Sequence, residues 1–136
     1  MPTDTTNEDL PLAGLKVIDC ASFIAAPVAT TVLADFGADV IKIEPPSGEP
    51  YRRDDPASRT PYSEFPYNYV VDNRSKRAIT LDLKVEAGQR VLHKMLETTD
   101  VFVTNAPFPA RERLRVRYQD MKDLYPRLIY ASVTAY

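Results

Sequence analysis

The chain is poor in the residues on which most recognisable chemistry is built. Its 136 residues include one cysteine, Cys20, one histidine, His93, four glycines and no tryptophan. A single cysteine excludes an intrachain disulfide and a multi-cysteine metal site, and it fits a reducing cytoplasm. His93 lies between apolar positions of a helical stripe and reads as a structural or surface group, not a base. The glycines are dispersed, so neither a Gly-x-Gly-x-x-Gly dinucleotide fingerprint nor a P-loop is present; Ala21-Ser-Phe-Ile-Ala-Ala-Pro27 stands where the former would be. Net charge is only -2 with no long basic run, which gives little electrostatic support to nucleic-acid binding. No apolar run approaches bilayer-spanning length, and Met1 to Leu10 lacks the basic start and apolar core of a secretory signal. A soluble protein with a disordered arm over residues 1–10 is expected.

What is present is an alternation of strand and helix signals. Leu15-Lys-Val-Ile-Asp19 has the short apolar run of a strand covered on both faces. Pro27 suits an early helical position, Val28, Val32, Leu33 and Phe36 recur at helical spacing, and Gly37 closes the helix. Asp39 to Glu44 predicts a second strand, stopped by Pro45-Pro46. Residues 45–66 read as a long loop, a length that suits a ligand or subunit contact and equally a mobile excursion. Arg77 to Leu83 predicts a third strand, Glu86 to Thr98 an amphipathic helix, and Asp100 to Thr104 a fourth strand. Short helices over Pro107 to Leu114 and Tyr118 to Leu124 precede a fifth strand, Leu128 to Val133. Right-handed crossovers turn such alternation into an α/β fold, a parallel sheet with helices on both faces.

In an open parallel sheet, ligands bind outside the carboxyl ends of the strands. That rule nominates Ser22 to Pro27, the segment after Glu44, Leu81 to Lys84, Thr104 to Pro107, and Val133 to Tyr136. Lys84, Arg111 and Arg113 are cations able to pair with phosphates, although spacing alone favours a solvated surface. Asp54-Asp55 lacks the further ligands a metal site needs, and Cys20 reads as a packed small hydrophobe. Tyr51, Tyr62, Tyr67 and Tyr69 cluster without a basic stripe, pointing to subunit packing and not to base stacking.

Five phrases, in this order and spacing, carry a resemblance: Pro11-Leu-Ala-Gly-Leu-Lys-Val-Ile-Asp19, Leu33-Ala-Asp-Phe-Gly-Ala-Asp-Val-Ile-Lys-Ile-Glu-Pro-Pro46, Asn73-Arg-Ser-Lys-Arg77, Leu81-Asp-Leu-Lys84 and Pro126-Arg-Leu-Ile-Tyr-Ala-Ser132. Together they resemble the N-terminal part of the class III coenzyme A transferases, the superfamily of formyl-CoA transferase, carnitine CoA-transferase and α-methylacyl-CoA racemase. The resemblance implies that residues 11–136 are a Rossmann-like coenzyme A-binding part, with the second domain absent. It implies coenzyme A contacts at Ile24, Ala25, Leu81, Lys84, Asn105 with Ala106 beside it, Arg113 and Thr134. Ala106 replaces a frequent aromatic residue. Pro45 and Thr134-Ala135 replace cations of some relatives, a loss that Arg52 or Arg53 would offset.

The same resemblance implies transfer of coenzyme A from an acyl thioester to a carboxylic acid through an aspartyl intermediate. The nucleophile is expected beyond this chain, so no catalytic residue is assigned within it and the chain alone is expected to be inactive. No metal and no tightly bound cofactor are implied, coenzyme A and acyl-CoA entering as substrates. Full-length relatives form interlocked homodimers, which implies a homodimer here. Racemisation of acyl thioesters on the same scaffold and noncatalytic coenzyme A binding are the alternatives.

Overall fold

The computed structural model describes residues 9–52 and 63–134. Five strands, β1 (Lys16–Asp19), β2 (Asp39–Glu44), β3 (Arg77–Thr80), β4 (Val101–Thr104) and β5 (Ile129–Ser132), form one sheet in the order β3-β2-β1-β4-β5. Every pairing is parallel; Ile18 lies beside Ile41 on one side and Phe102 on the other. The connecting helices are α1 (Ala25–Asp35), α2 (Tyr67–Asn73), α3 (Glu86–Leu96), α4 (Phe108–Arg113) and α5 (Tyr118–Met121). Strand order therefore reverses between β1 and β4, the place where loops diverge and a crevice opens.

Alternation along the strands divides the core in two. Val17, Val40 and Val103 pack on Ala26 and Ala34 of α1, while Ile18, Ile43 and Phe102 pack on Leu92 and Leu96 of α3 and Met121 of α5. Both faces of the central strands are thus covered, which is why apolar residues predominate there and the charged Asp19, Lys42 and Glu44 need buried partners. Among the described residues no helix is long and apolar enough to cross a membrane.

Three expectations need correction. The large apolar residues of α1 do not form its inner stripe: Val32 and Phe36 are 44% and 51% exposed, and Ala26, Thr30 and Ala34 face inward instead. Small side chains let the helix lie close to the sheet. The third strand ends at Thr80, not Leu83; Leu81 still donates its N–H to the Glu44 carbonyl at 2.9 Å, after which Leu83 turns into the core. The long loop contains a 3₁₀ turn at Pro50–Arg52 and is followed by α2, which the sequence reading did not anticipate. The other elements agree with the expected ones to within a few residues at their ends. Met1 to Glu8, Arg53 to Tyr62 and Ala135-Tyr136, and with them Asp54-Asp55, lie outside the described residues.

Candidate functional site

The loops leaving β1, β2, β3 and β4 enclose a cavity of about 380 Å³. Cys20, Ala21 and Ser22 form one wall, Pro45, Pro46 and Ser47 another, Leu81 to Lys84 a third, and Ala106 with Leu114 a fourth. A concave, mostly apolar site with a few polar groups at a strand-order reversal is the usual form of a ligand site in such sheets. Of the residues expected to meet a ligand, the structure brings Leu81, Lys84 and Ala106 onto this cavity. Arg113 is exposed on α4 next to the lining residue Leu114, whereas Ile24 and Ala25 are exposed at the start of α1 and Thr134 is exposed after β5. Those last three do not line the cavity.

Asn105 lies at the reversal itself. Its Oδ1 accepts the Ser22 N–H at 2.9 Å and its Nδ2 donates to the Ser22 carbonyl at 2.7 Å, so it ties the β1 exit to the β4 exit. Arg111 is not a surface cation: it is buried, with Nε donating to the Ala106 carbonyl and Nη1 to Ser132 Oγ at 2.7 Å. It braces the Ala106 wall against β5. Arg52 is committed as well, donating to both oxygens of Glu44 at 2.8 and 2.7 Å and lying over the Tyr69 ring at 3.7 Å. Tyr69 is buried in that network, its hydroxyl donating to Glu44 Oε1 at 2.6 Å, so it serves the interior and not a subunit surface. Arg52 therefore does not stand in for a phosphate ligand, and Arg53 lies outside the described residues.

The sequence reading missed a buried charge network under the β1 exit. Asp19 Oδ2 accepts Thr30 Oγ1 at 2.8 Å and Lys76 Nζ at 2.8 Å, and Asp19 Oδ1 accepts the Ala21 N–H at 3.1 Å. Lys42 Nζ donates to the Ala21 carbonyl at 2.8 Å and lies 3.9 Å from Asp19 and 3.7 Å from Glu49. Two acids and two lysines balance, as buried charges must. Burial pulls the Lys76 ammonium below its ordinary value, with Asp19 opposing. The available signal was Lys42 itself, a charge inside Val40-Ile-Lys-Ile43, where a strand covered on both faces has no solvent to offer. Cys20 packs beside this network, and burial, then Asp19, push its thiol up to about 12 against a smaller lowering by Lys42. His93 is paired through Nδ1 with the Tyr125 hydroxyl at 2.7 Å, a structural contact.

Comparison with known proteins shows the family. The profile of CoA-transferase family III matches residues 12–136. The chain is 43% identical over 125 residues to the cinnamoyl-CoA:phenyllactate CoA-transferase of Clostridium sporogenes, covering 91% of the chain and 30% of that protein. It is 39% identical to the (R)-2-hydroxy-4-methylpentanoate CoA-transferase of Clostridioides difficile, covering 92% and 32%. The crystal structure of a CAIB/BAIF family protein from Brucella suis superposes with a TM-score of 0.83 at 34% identity, covering 93% of the chain and 34% of that protein. The chain thus spans about a third of the length of these relatives, and within that span it belongs to CoA-transferase family III.

Proposed function

We propose that residues 11–136 form the coenzyme A-binding part of a cytoplasmic, homodimeric enzyme that moves coenzyme A from an acyl thioester to a free carboxylic acid. The supporting observation is the cavity that joins four strand ends, with Lys84 on its wall and Arg113 one residue from it. Lys84 and Arg113 would pair with the nucleotide phosphates, and Leu81, Leu83, Pro45 and Pro46 would pack against the apolar parts of the ligand. Asn105, which holds the two loops together, and Arg111, which fixes Ala106, would keep the cradle open without touching the reacting atoms.

In the reaction, the thioester carbonyl would be attacked by an aspartate carboxylate. The coenzyme A thiolate would leave and a mixed anhydride would form; return of the thiolate to the aspartyl carbonyl would release the acid and leave an aspartyl thioester. The acceptor carboxylate would then take the place of the first acid and reverse these steps. The aspartate would come from the part of the relatives' length that this chain does not share. Exposed Val32, Phe36, Val70 and Val71 suit cover by that part or by a second subunit.

Calorimetry with coenzyme A tests the reading. Lys84→Gln and Arg113→Gln are each expected to weaken binding about five- to tenfold while leaving the unfolding midpoint unchanged. Equal affinity in wild type and both variants would remove these residues from the site, and no binding at millimolar ligand would remove the function.

A further inference from the structure

A second feature of the same sheet edge has no place in the scheme above. Phe23 has φ +64°, a left-handed conformation that a bulky aromatic residue adopts only when its surroundings impose it. Burial does not repay that conformation, because the residue is 56% exposed. What imposes it is Glu49, itself 1% exposed, whose Oε1 accepts the N–H of Phe23 at 3.3 Å and that of Tyr51 at 3.4 Å. One buried carboxylate oxygen therefore holds the main chain of two aromatic residues far apart in sequence, and their rings lie 6.4 Å apart at 58°. The carboxylate is held in turn by Lys42, 3.7 Å away, which also grips the Ala21 carbonyl at 2.8 Å. Strained backbone, two buried charges and a set ring geometry converge on the exposed Phe23 ring and the half-buried Tyr51 ring beside it.

We propose that Phe23 and Tyr51 form a ledge that receives a ring-bearing acyl group of the thioester, and so select for it. This rests on the reading that coenzyme A occupies the cavity. Ser22, which precedes Phe23, lines that cavity, as does Ser47, just before the turn that carries Glu49. Leu83 and Leu114, the neighbours of Lys84 and Arg113, pack with the core on the α3 side of the sheet, whereas Phe23 leads into α1 on the other side. A thioester anchored by its phosphates at those cations and crossing the strand ends brings its far end, the acyl group, to Phe23. Offset or tilted stacking on a ring held in place adds affinity that an acetyl group cannot gain.

The test is calorimetry of the full chain with phenylacetyl-CoA, acetyl-CoA and adenosine 3′,5′-bisphosphate. Wild type is expected to bind phenylacetyl-CoA about five- to tenfold more tightly than acetyl-CoA. Phe23→Ala, Phe23→Leu and Tyr51→Ala each reduce that preference to about twofold or less, while affinity for the bisphosphate stays at its wild-type value. Equal binding of the two thioesters by wild type, or a full preference retained in the variants, overturns the ledge and leaves the coenzyme A reading standing. Weaker binding of the bisphosphate in the Phe23 variants would show that the ring held there is adenine, which overturns the acyl assignment. Failure of all three ligands to bind overturns the coenzyme A reading and the ledge with it.

Discussion

Asn105 grips Ser22 by both of its main-chain groups, the amide at 2.9 Å and the carbonyl at 2.7 Å, across 83 residues of sequence. The side-chain amide thereby continues the pairing of β1 with β4 beyond the last ladder bond, just where the two loops would otherwise separate. Asn105→Ala leaves a part-buried donor and acceptor unpaired and is expected to cost about 1–3 kcal/mol in urea unfolding. Asn105→Asp keeps the acceptor but sets a charge against the Ser22 carbonyl, so it is expected to be no better than alanine. In both variants coenzyme A affinity should fall further than stability alone accounts for, because the β1 wall of the cavity is released. Unchanged stability in both variants would show that the clamp contributes nothing.

Glu44 makes the end of β2 sensitive to acid. Burial alone would raise its pKa, but hydrogen bonds from Arg52 and Tyr69 outweigh burial and bring it from 4.5 down to about 2. The folded chain then binds fewer protons than the unfolded chain between these values, so the stabilisation present near neutrality is lost as pH falls through that window. The Arg52 side chain is 40% exposed, and screening there limits the effect to about 1–2 kcal/mol. Glu44→Gln should lower stability near neutrality and flatten the acid limb of a stability-versus-pH curve. An acid limb as steep as wild type would assign the loss to other carboxylates.

How much of this was legible in the sequence depended on the range of the interactions. Strands β1, β2 and β4 could be read because burial on both faces concentrates Val, Ile and Phe in short runs, a purely local signal. Side-chain size is a poor guide to the inner face of α1, because the close approach of helix to sheet selects Ala26, Thr30 and Ala34. The place of Lys84 and Ala106 at the sheet edge could be read because the strand-end rule needs only strand boundaries. The Asp19–Lys76 pair, 57 residues apart, and the bridge from Glu49 to Phe23, 26 apart, carry no spacing signature and emerge only when the sheet brings them together. The commitment of Arg52 and Arg111 to internal partners was hidden for the same reason.

Gly88 is required by close approach, not by an unusual φ. A Cβ built there lies 2.0 Å from the Asp82 carbonyl oxygen and 2.7 Å from its carbon, both backbone atoms that cannot rotate away. Gly88→Ala must displace either α3 or the Asp82 to Lys84 turn that lines the cavity, at an expected cost of about 1–3 kcal/mol. Coenzyme A binding should weaken with it. Gly48 is the control: its φ of +80° disfavours alanine, but a Cβ there meets nothing within 4 Å. Gly48→Ala should therefore lose only about 1–2 kcal/mol, through backbone conformation alone, and leave the Lys84 wall where it is. A Gly88→Ala protein as stable as wild type would show that the turn yields freely.

Cys20 sets a thiol on the wall of a cavity proposed to hold a thioester, and its environment keeps that thiol unreactive. Burial first, and Asp19 next, raise its pKa from 9.0 to about 12, so at neutral pH almost none of it is the nucleophilic thiolate. Acyl transfer to Cys20 would therefore be a slow side reaction despite its position. Alkylation by iodoacetamide in mildly alkaline buffer is expected to be at least about 100-fold slower than for a free cysteine, accelerating about tenfold per pH unit. Saturating coenzyme A should slow it further. A raised pKa means that the folded chain keeps a proton the unfolded chain has lost, so stability should decline as pH climbs from 9.0 toward about 12. Cys20→Ala should remove the part of that decline that sets in from 9.0, leaving the later part due to Tyr69 and Tyr130, whose hydroxyls burial also pushes up. Cys20 is only partly buried and faces the cavity, so access alone would not protect it; rapid labelling of wild type in mildly alkaline buffer would show that its thiolate forms readily there and would overturn the raised pKa.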